Sequence, residues 1–196
     1  NQGNSGNGVH AYDDKMPTAW EESWGNSLST GVILANGAGS SMNISYTTPK
    51  IAGTTIEVAY APEMGATDTA DKSYGTASNS KDAGYDAVIN INPSLGTEIL
   101  SGLNIYAGAH YAESTDGNVT LGQDSGSGVG GMTLDIGPIS LGYAVSGRVT
   151  GYKDSVGDAM GRTDYYKSHM YGVAFNVNDD LSLSYSYYDT RKEGQS

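Results

Sequence analysis

Along most of this sequence apolar and polar residues alternate strictly, and the alternating stretches come in pairs joined by a short turn. The pairs are 42–49 with 54–61, 85–92 with 103–111, 131–136 with 139–149, and 171–177 with 181–187. Long acidic connections rich in Gly, Ser and Asp lead from one pair to the next, at about 62–84, 112–130 and 150–169. Successive side chains of a strand point to opposite faces, so each stretch sorts its residues by face. Ile56, Val58 and Tyr60 stand against Thr55, Glu57 and Ala59; Leu103, Ile105 and Ala107 stand against Asn104, Tyr106 and Gly108. Near the end of the chain Leu181, Leu183, Tyr185 and Tyr187 oppose Ser182, Ser184 and Ser186. The expected fold is all-β, an antiparallel up-and-down sheet of about eight strands with one dry and one wet face.

The order of short turns and long loops gives the two ends of this sheet different environments. A transmembrane β-barrel supplies a physical cause, with short turns on one side of the membrane and longer loops on the other. The tyrosines point the same way. Tyr60, Tyr85, Tyr111, Tyr171 and Tyr187 lie on the apolar face at the long-loop ends of their strands, while Tyr46 and Phe175 sit nearer the short turns. Amphipathic rings are most stable at headgroup depth, so these residues are read as interface aromatics bounding an aliphatic band. The opposite face then lines an interior, with Ser45, Glu57, Asp86, Asn90, Asn104, His110, Asp135 and Arg148 as its polar residues.

Composition excludes several classes. The longest apolar run, 31–35, is far short of the roughly 20 residues of a membrane helix. The chain has no cysteine, which removes disulfides and thiolate metal sites. Its net charge of −12 argues against nucleic acid, which needs clustered Lys and Arg. Acids in the loops, among them Glu63, Asp68, Asp71, Glu113, Asp116 and Asp154, favour cations near a pore mouth. With no leading signal and loop-like composition at both ends, the chain is expected to be a fragment of a larger barrel.

Residues 1–41 precede the strands, and one stretch there, YDDKMPTAWEESW at 12–24, is compatible with a short helix capped by Asp13 or Asp14. Its adjacent carboxylates, Asp13 with Asp14 and Glu21 with Glu22, point in different directions on a helix and have no histidine at ligand spacing, so no metal is expected. Folded into a barrel, the same acids would narrow the interior and set its field.

A carboxylate-bearing loop is followed here by SSMNISYTTPKIAGTTIEVAYAPEMG, 40–65, which resembles the general porins of Gram-negative bacteria. Their inward-folded third loop runs into a strand of the form N-S-x-R-Y-x-S-P, then a turn with Gly and a strand ending in Tyr. Asn43, Tyr46, Pro49, Gly53 and Tyr60 match, whereas Ser45 stands where the family has an arginine of the basic wall. The resemblance implies a 16-stranded outer-membrane barrel in contact with lipid and lipopolysaccharide, assembled as a homotrimer. It implies passive diffusion of small hydrophilic solutes, with Asp13, Asp14, Glu21 and Glu22 at the constriction.

Two other readings remain open at this level: a small eight-stranded, non-conducting barrel anchor, and a surface β-sandwich or adhesin domain. Catalysis is not expected. His110 has no nucleophile elbow with it, 116–118 and 179–180 lack a calcium ladder, and 126–131 is not followed by the Gly-Lys-Ser/Thr of a phosphate loop. No cofactor is expected.

Overall fold

Strand-forming alternation produces one antiparallel sheet of eight strands in the computed structural model, each paired with its neighbours in sequence. The structure describes residues 7–12, 15–16, 35, 37–38, 41–62, 64, 81–93, 101–114, 124–149, 151, 165–178 and 181–193. The strands are β1 (Ile44–Thr47), β2 (Thr54–Ala61), β3 (Lys81–Ile91), β4 (Leu103–Ser114), β5 (Ser125–Ile136), β6 (Ile139–Val149), β7 (Tyr165–Asn178) and β8 (Leu181–Glu193). A 3-10 turn, Gly8–Ala11, precedes them. The sheet is not closed: β1 and β8 are its two edges. Among the described residues no helix is long and apolar enough to cross a membrane.

Local chemistry sets the tight turns. Ala52 and Gly53 both take positive φ (49° and 78°), and Ile51 and Thr54 exchange backbone hydrogen bonds of 2.9 Å across them. That is the two-residue hairpin whose twist matches the strands. Gly137 (φ 57°) opens the equally short turn between β5 and β6, ahead of Pro138.

Several strands run further than their apolar alternation. β5 begins at Ser125 rather than at the first residue of the alternating 131–136 stretch, β7 begins at Tyr165, and β8 continues to Glu193. In these extensions the positions in line with the apolar face carry Gly126, Gly128, Lys167, His169, Asp189 and Arg191. The hydrophobic period disappears there while the hydrogen-bonded ladder continues.

Register assigns every strand residue to a face. One face carries Ile56, Val58, Tyr60, Tyr85, Ile89, Ile105, Tyr111, Leu141, Tyr171, Val173, Phe175, Leu183 and Tyr187, and it stands open along the whole sheet. Its tyrosines touch in two rows. Tyr60, Tyr85 and Tyr111 have ring centroids 5.3 and 6.4 Å apart; Tyr143, Tyr171 and Tyr187 have theirs at 5.1 and 6.4 Å.

The two rows are not in register. From Tyr85 the paired positions run through Tyr111, Gly126 and Val149 to Tyr165 on β7, yet the second row crosses β7 at Tyr171. The row has slid about 20 Å along the strands while crossing about 19 Å of sheet, a slope of about 45°. The strand ends drift in the same sense, since Ile91 is in line with Tyr171 on β7, which continues to Asn178.

The core lies on the other face. Val88, Tyr106, Val129, Ala144 and Met170, one from each of β3 to β7, are buried under Val9, Met16 and Ala35 of the N-terminal segment. The wet face is therefore dry at its centre, where that segment is seated.

Candidate functional site

The site is built where the N-terminal segment meets the inward face of β2, β3 and β4. Alternation aims Glu57, Asp86, Asn90, Tyr106 and His110 at the segment, and each except Glu57 and Asn90 is buried. Asp86 is the hub, with a side chain that is 0% exposed. Its Oδ2 accepts the Val9 N–H at 2.8 Å, and the Ala38 N–H reaches Oδ1 and Oδ2 at 3.1 and 3.0 Å. His110 Nδ1 donates to Oδ1 at 2.6 Å. A buried carboxylate is tolerated only when donors satisfy its lone pairs in this way. The backbone at Val9 and at Ala38 is thereby fixed to one side chain of the sheet.

Around this hub further contacts hold the segment down. Glu57 Oε1 accepts the Gly8 N–H at 2.7 Å. Asn7 Nδ2 donates to Asn43 Oδ1 at 2.7 Å, while Asn43 Nδ2 donates to the carbonyls of Ser41 and Ala38 at 2.8 and 3.0 Å. Asn90 Nδ2 donates to the Tyr12 hydroxyl at 3.0 Å, and the Tyr106 hydroxyl donates to the Lys15 carbonyl at 3.2 Å. The Lys15 ammonium lies over the rings of Tyr12 and Tyr106, 4.6 and 5.9 Å from their centroids. Burial pushes its pKa below the usual lysine value.

Gly8 is required at the hub. Its φ is +60°, and a Cβ there would fall 2.1 Å from Asp86 Oδ2. Gly8→Ala is expected to lose about 2–4 kcal/mol, the left-handed backbone and the overpacked carboxylate together. Urea unfolding checks this; a loss below about 0.5 kcal/mol would mean that the contact yields freely.

The sequence-derived residues fall as follows. Ser45, Glu57, Asp86, Asn90, Asn104, His110, Asp135 and Arg148 all lie on the face opposite the tyrosine rows. Only Glu57, Asp86, Asn90 and His110 gather around the segment; Ser45 lies on the edge strand, and Asn104 and Asp135 sit near the short turns. Arg148 is at the far end of β6, paired with Ser127 and Tyr166. Asp13, Asp14, Glu21 and Glu22 lie outside the described residues, as does most of the 12–24 stretch. Tyr60, Tyr85 and Tyr111 form one ring row, and Tyr171 and Tyr187 belong to the other. Tyr46 and Phe175 share the apolar face but stand on β1 and β7, too far apart in the sheet to touch.

Sequence reasoning missed Val9, Met16, Ala35 and Met170, and it missed Tyr143 as a member of the second row. Tyr143 was legible from the alternation of 139–149; the apolar contacts of the segment had no periodic signal. Comparison with family models and with curated proteins gives no match for the chain.

Proposed function

We propose that the chain forms part of the wall of an outer-membrane β-barrel through which small hydrophilic solutes and ions diffuse passively, with cations preferred. The observation that carries this reading is the open apolar face. It spans seven strand spacings, about 34 Å, and soluble monomers rarely leave so wide a contiguous apolar surface in water. The slope of about 45° between tyrosine rows and register adds support, since strands in a membrane barrel are tilted by about 35–45°. A lipid-facing band held level in the membrane has to climb across tilted strands in this way.

In this reading the segment anchored at Asp86 narrows the passage. The carboxylates of Asp13, Asp14, Glu21 and Glu22 supply the field that favours cations. The resemblance at 40–65 to the general porins adds the remaining expectations: a 16-stranded barrel, a homotrimer, and an outer membrane of a Gram-negative bacterium with lipopolysaccharide around it. The chemistry is geometric and electrostatic, and no covalent step belongs to it.

The apolar cluster under the segment favours a second reading, a non-conducting membrane anchor with a packed interior. Conductance in a planar bilayer under a salt gradient separates the two. Open steps are expected, with a reversal potential on the cation side that moves toward zero in the quadruple variant Asp13→Asn, Asp14→Asn, Glu21→Gln, Glu22→Gln. Inserted protein that never conducts would overturn the channel reading.

A further inference from the structure

The inward face separates its charges along one line of register. From Asp86 the cross-strand partners run through His110, Ser127, Arg148 and Tyr166 to Lys192, one residue from each of β3 to β8. A carboxylate satisfied by its own donors stands near one end of this line, and two cations stand at the other. Arg148 and Lys192 flank Tyr166 from the strands on either side, about 10 Å apart between backbones. The inward positions of β6, β7 and β8 carry no Asp or Glu, and register assigns Asp189 and Glu193 to the other face. Asp86 is three strand spacings from Arg148, about 14 Å, where salt already screens most of its field. A chain with 22 acids and 10 bases thus holds a purely basic patch on this part of its inner wall.

The patch is also unpartnered. Among the described residues no ion pair or side-chain hydrogen bond reaches Arg148, Tyr166 or Lys192. Lys192 is exposed, and Arg148 and Tyr166 are half-buried. The described apolar residues of the N-terminal segment pack at the level of Ala144 and Met170. That level is four positions from Arg148 and from Tyr166, about 13 Å along the strands toward the short turns. Between the two levels lie Ser146, Ser168 and Thr190. Two cations and a phenol therefore share one level of the wall beyond the seated segment.

We propose that Arg148, Tyr166 and Lys192 form a subsite for the phosphate group of a small phosphorylated solute, on the inner wall toward the long loops. The subsite rests on the channel reading above for its access to water, and it adds a solute class to that reading. The guanidinium offers parallel N–H donors to one edge of a phosphate, and the ammonium brings a mobile point charge to the other. The Tyr166 hydroxyl is a further donor between them. A planar carboxylate is already satisfied by the guanidinium alone, whereas a tetrahedral dianion has oxygens left for all three groups. Bound between the cations, it also relieves their mutual repulsion.

The test is isothermal titration of the protein in detergent micelles with glucose 6-phosphate, with glucose and glucuronate in parallel arms. Saturable binding of the phosphate ester is expected, about 10-fold weaker in the double variant Arg148→Gln, Lys192→Gln and retained in Lys192→Arg. Equal affinity in wild type and double variant overturns the site. Glucose or glucuronate binding as tightly as the ester overturns phosphate as the recognised group. Binding that emerges only in the quadruple variant Asp13→Asn, Asp14→Asn, Glu21→Gln, Glu22→Gln would show the cations already neutralised by the segment, and that also overturns the site. The channel reading fails separately, through inserted protein that never conducts, because this titration requires no conduction.

Discussion

Asp86→Ala is expected to destabilise the fold by about 3–5 kcal/mol and to release the N-terminal segment from the sheet. The carboxylate closes contacts 77 residues back to Val9 and 48 back to Ala38, so no local structure can replace it. Removing it strands two buried N–H groups and an imidazole, and buried donors left unpaired cost about 1–3 kcal/mol each. Breaking a buried pair by deleting one partner costs a similar total. His110→Ala is expected to be milder, about 1.5–3 kcal/mol, because the two backbone donors still serve the carboxylate. Asp86→Asn should fall between, since one of its two polar atoms becomes a donor facing donors. Urea unfolding in micelles gives the energies, and limited proteolysis of residues 7–38 reports release of the segment. Equal protection of wild type and Asp86→Ala would show that the apolar contacts of Val9, Met16 and Ala35 alone hold it. In the channel reading a released segment also raises single-channel conductance.

The faces of the sheet were legible from sequence because one periodicity determines them. Once 54–61 or 181–187 alternates with period two, the apolar residues must share a face, and register pairs them with their neighbours' apolar residues. The extent of the strands was not legible. Residues 125–130 (SGSGVG) and 165–170 (YYKSHM) carry no hydrophobic period, yet they are paired, because an antiparallel ladder needs only backbone groups and a neighbouring strand. The slope of the tyrosine rows was equally hidden, since it exists only once the register between β3 and β7 is known.

The site was legible in its parts and not in its assembly. Alternation placed Asp86 and His110 inward on adjacent strands. Nothing local separates Asp86 from Asp135, which has the same parity on β5 and stands exposed beside the short turn. What distinguishes Asp86 is the pair of backbone amides that arrive from other parts of the chain, and only tertiary structure brings them. The segment was read for its charges, at Asp13, Asp14, Glu21 and Glu22. The structure adds that its described residues are held through apolar side chains, backbone groups and the side chains of Asn7, Tyr12 and Lys15, none of which is marked by a periodic pattern.

Ile89→Arg and Val149→Arg are expected to differ by about 2–4 kcal/mol although the two native side chains are almost equally open, 38% and 45% exposed. Ile89 lies four positions from Tyr85 toward the short turn, in the apolar band on the short-turn side of the ring row. Val149 lies six positions beyond Tyr143 toward the long loops, about 20 Å along β6 and outside that band. If the face is covered by lipid, an arginine near the midplane costs about 2–4 kcal/mol and one near the interface about 0–1. If the face is covered by water, both are surface substitutions and stay within about 0.5 kcal/mol of wild type. Leu141→Arg, two positions from Tyr143 on the band side, should follow Ile89→Arg. An inward control, Ser184→Arg on β8, should leave stability nearly unchanged, because its side chain leaves the sheet on the polar face. Unfolding of all four variants in lipid vesicles gives the comparison, and its ordering is the informative part. A cost that tracks depth relative to the tyrosine rows, and not solvent exposure in the isolated chain, requires a layered apolar medium on that face. Equal costs at positions 89, 141 and 149 would remove the bilayer from the explanation and leave a protein partner as the cover of the sheet.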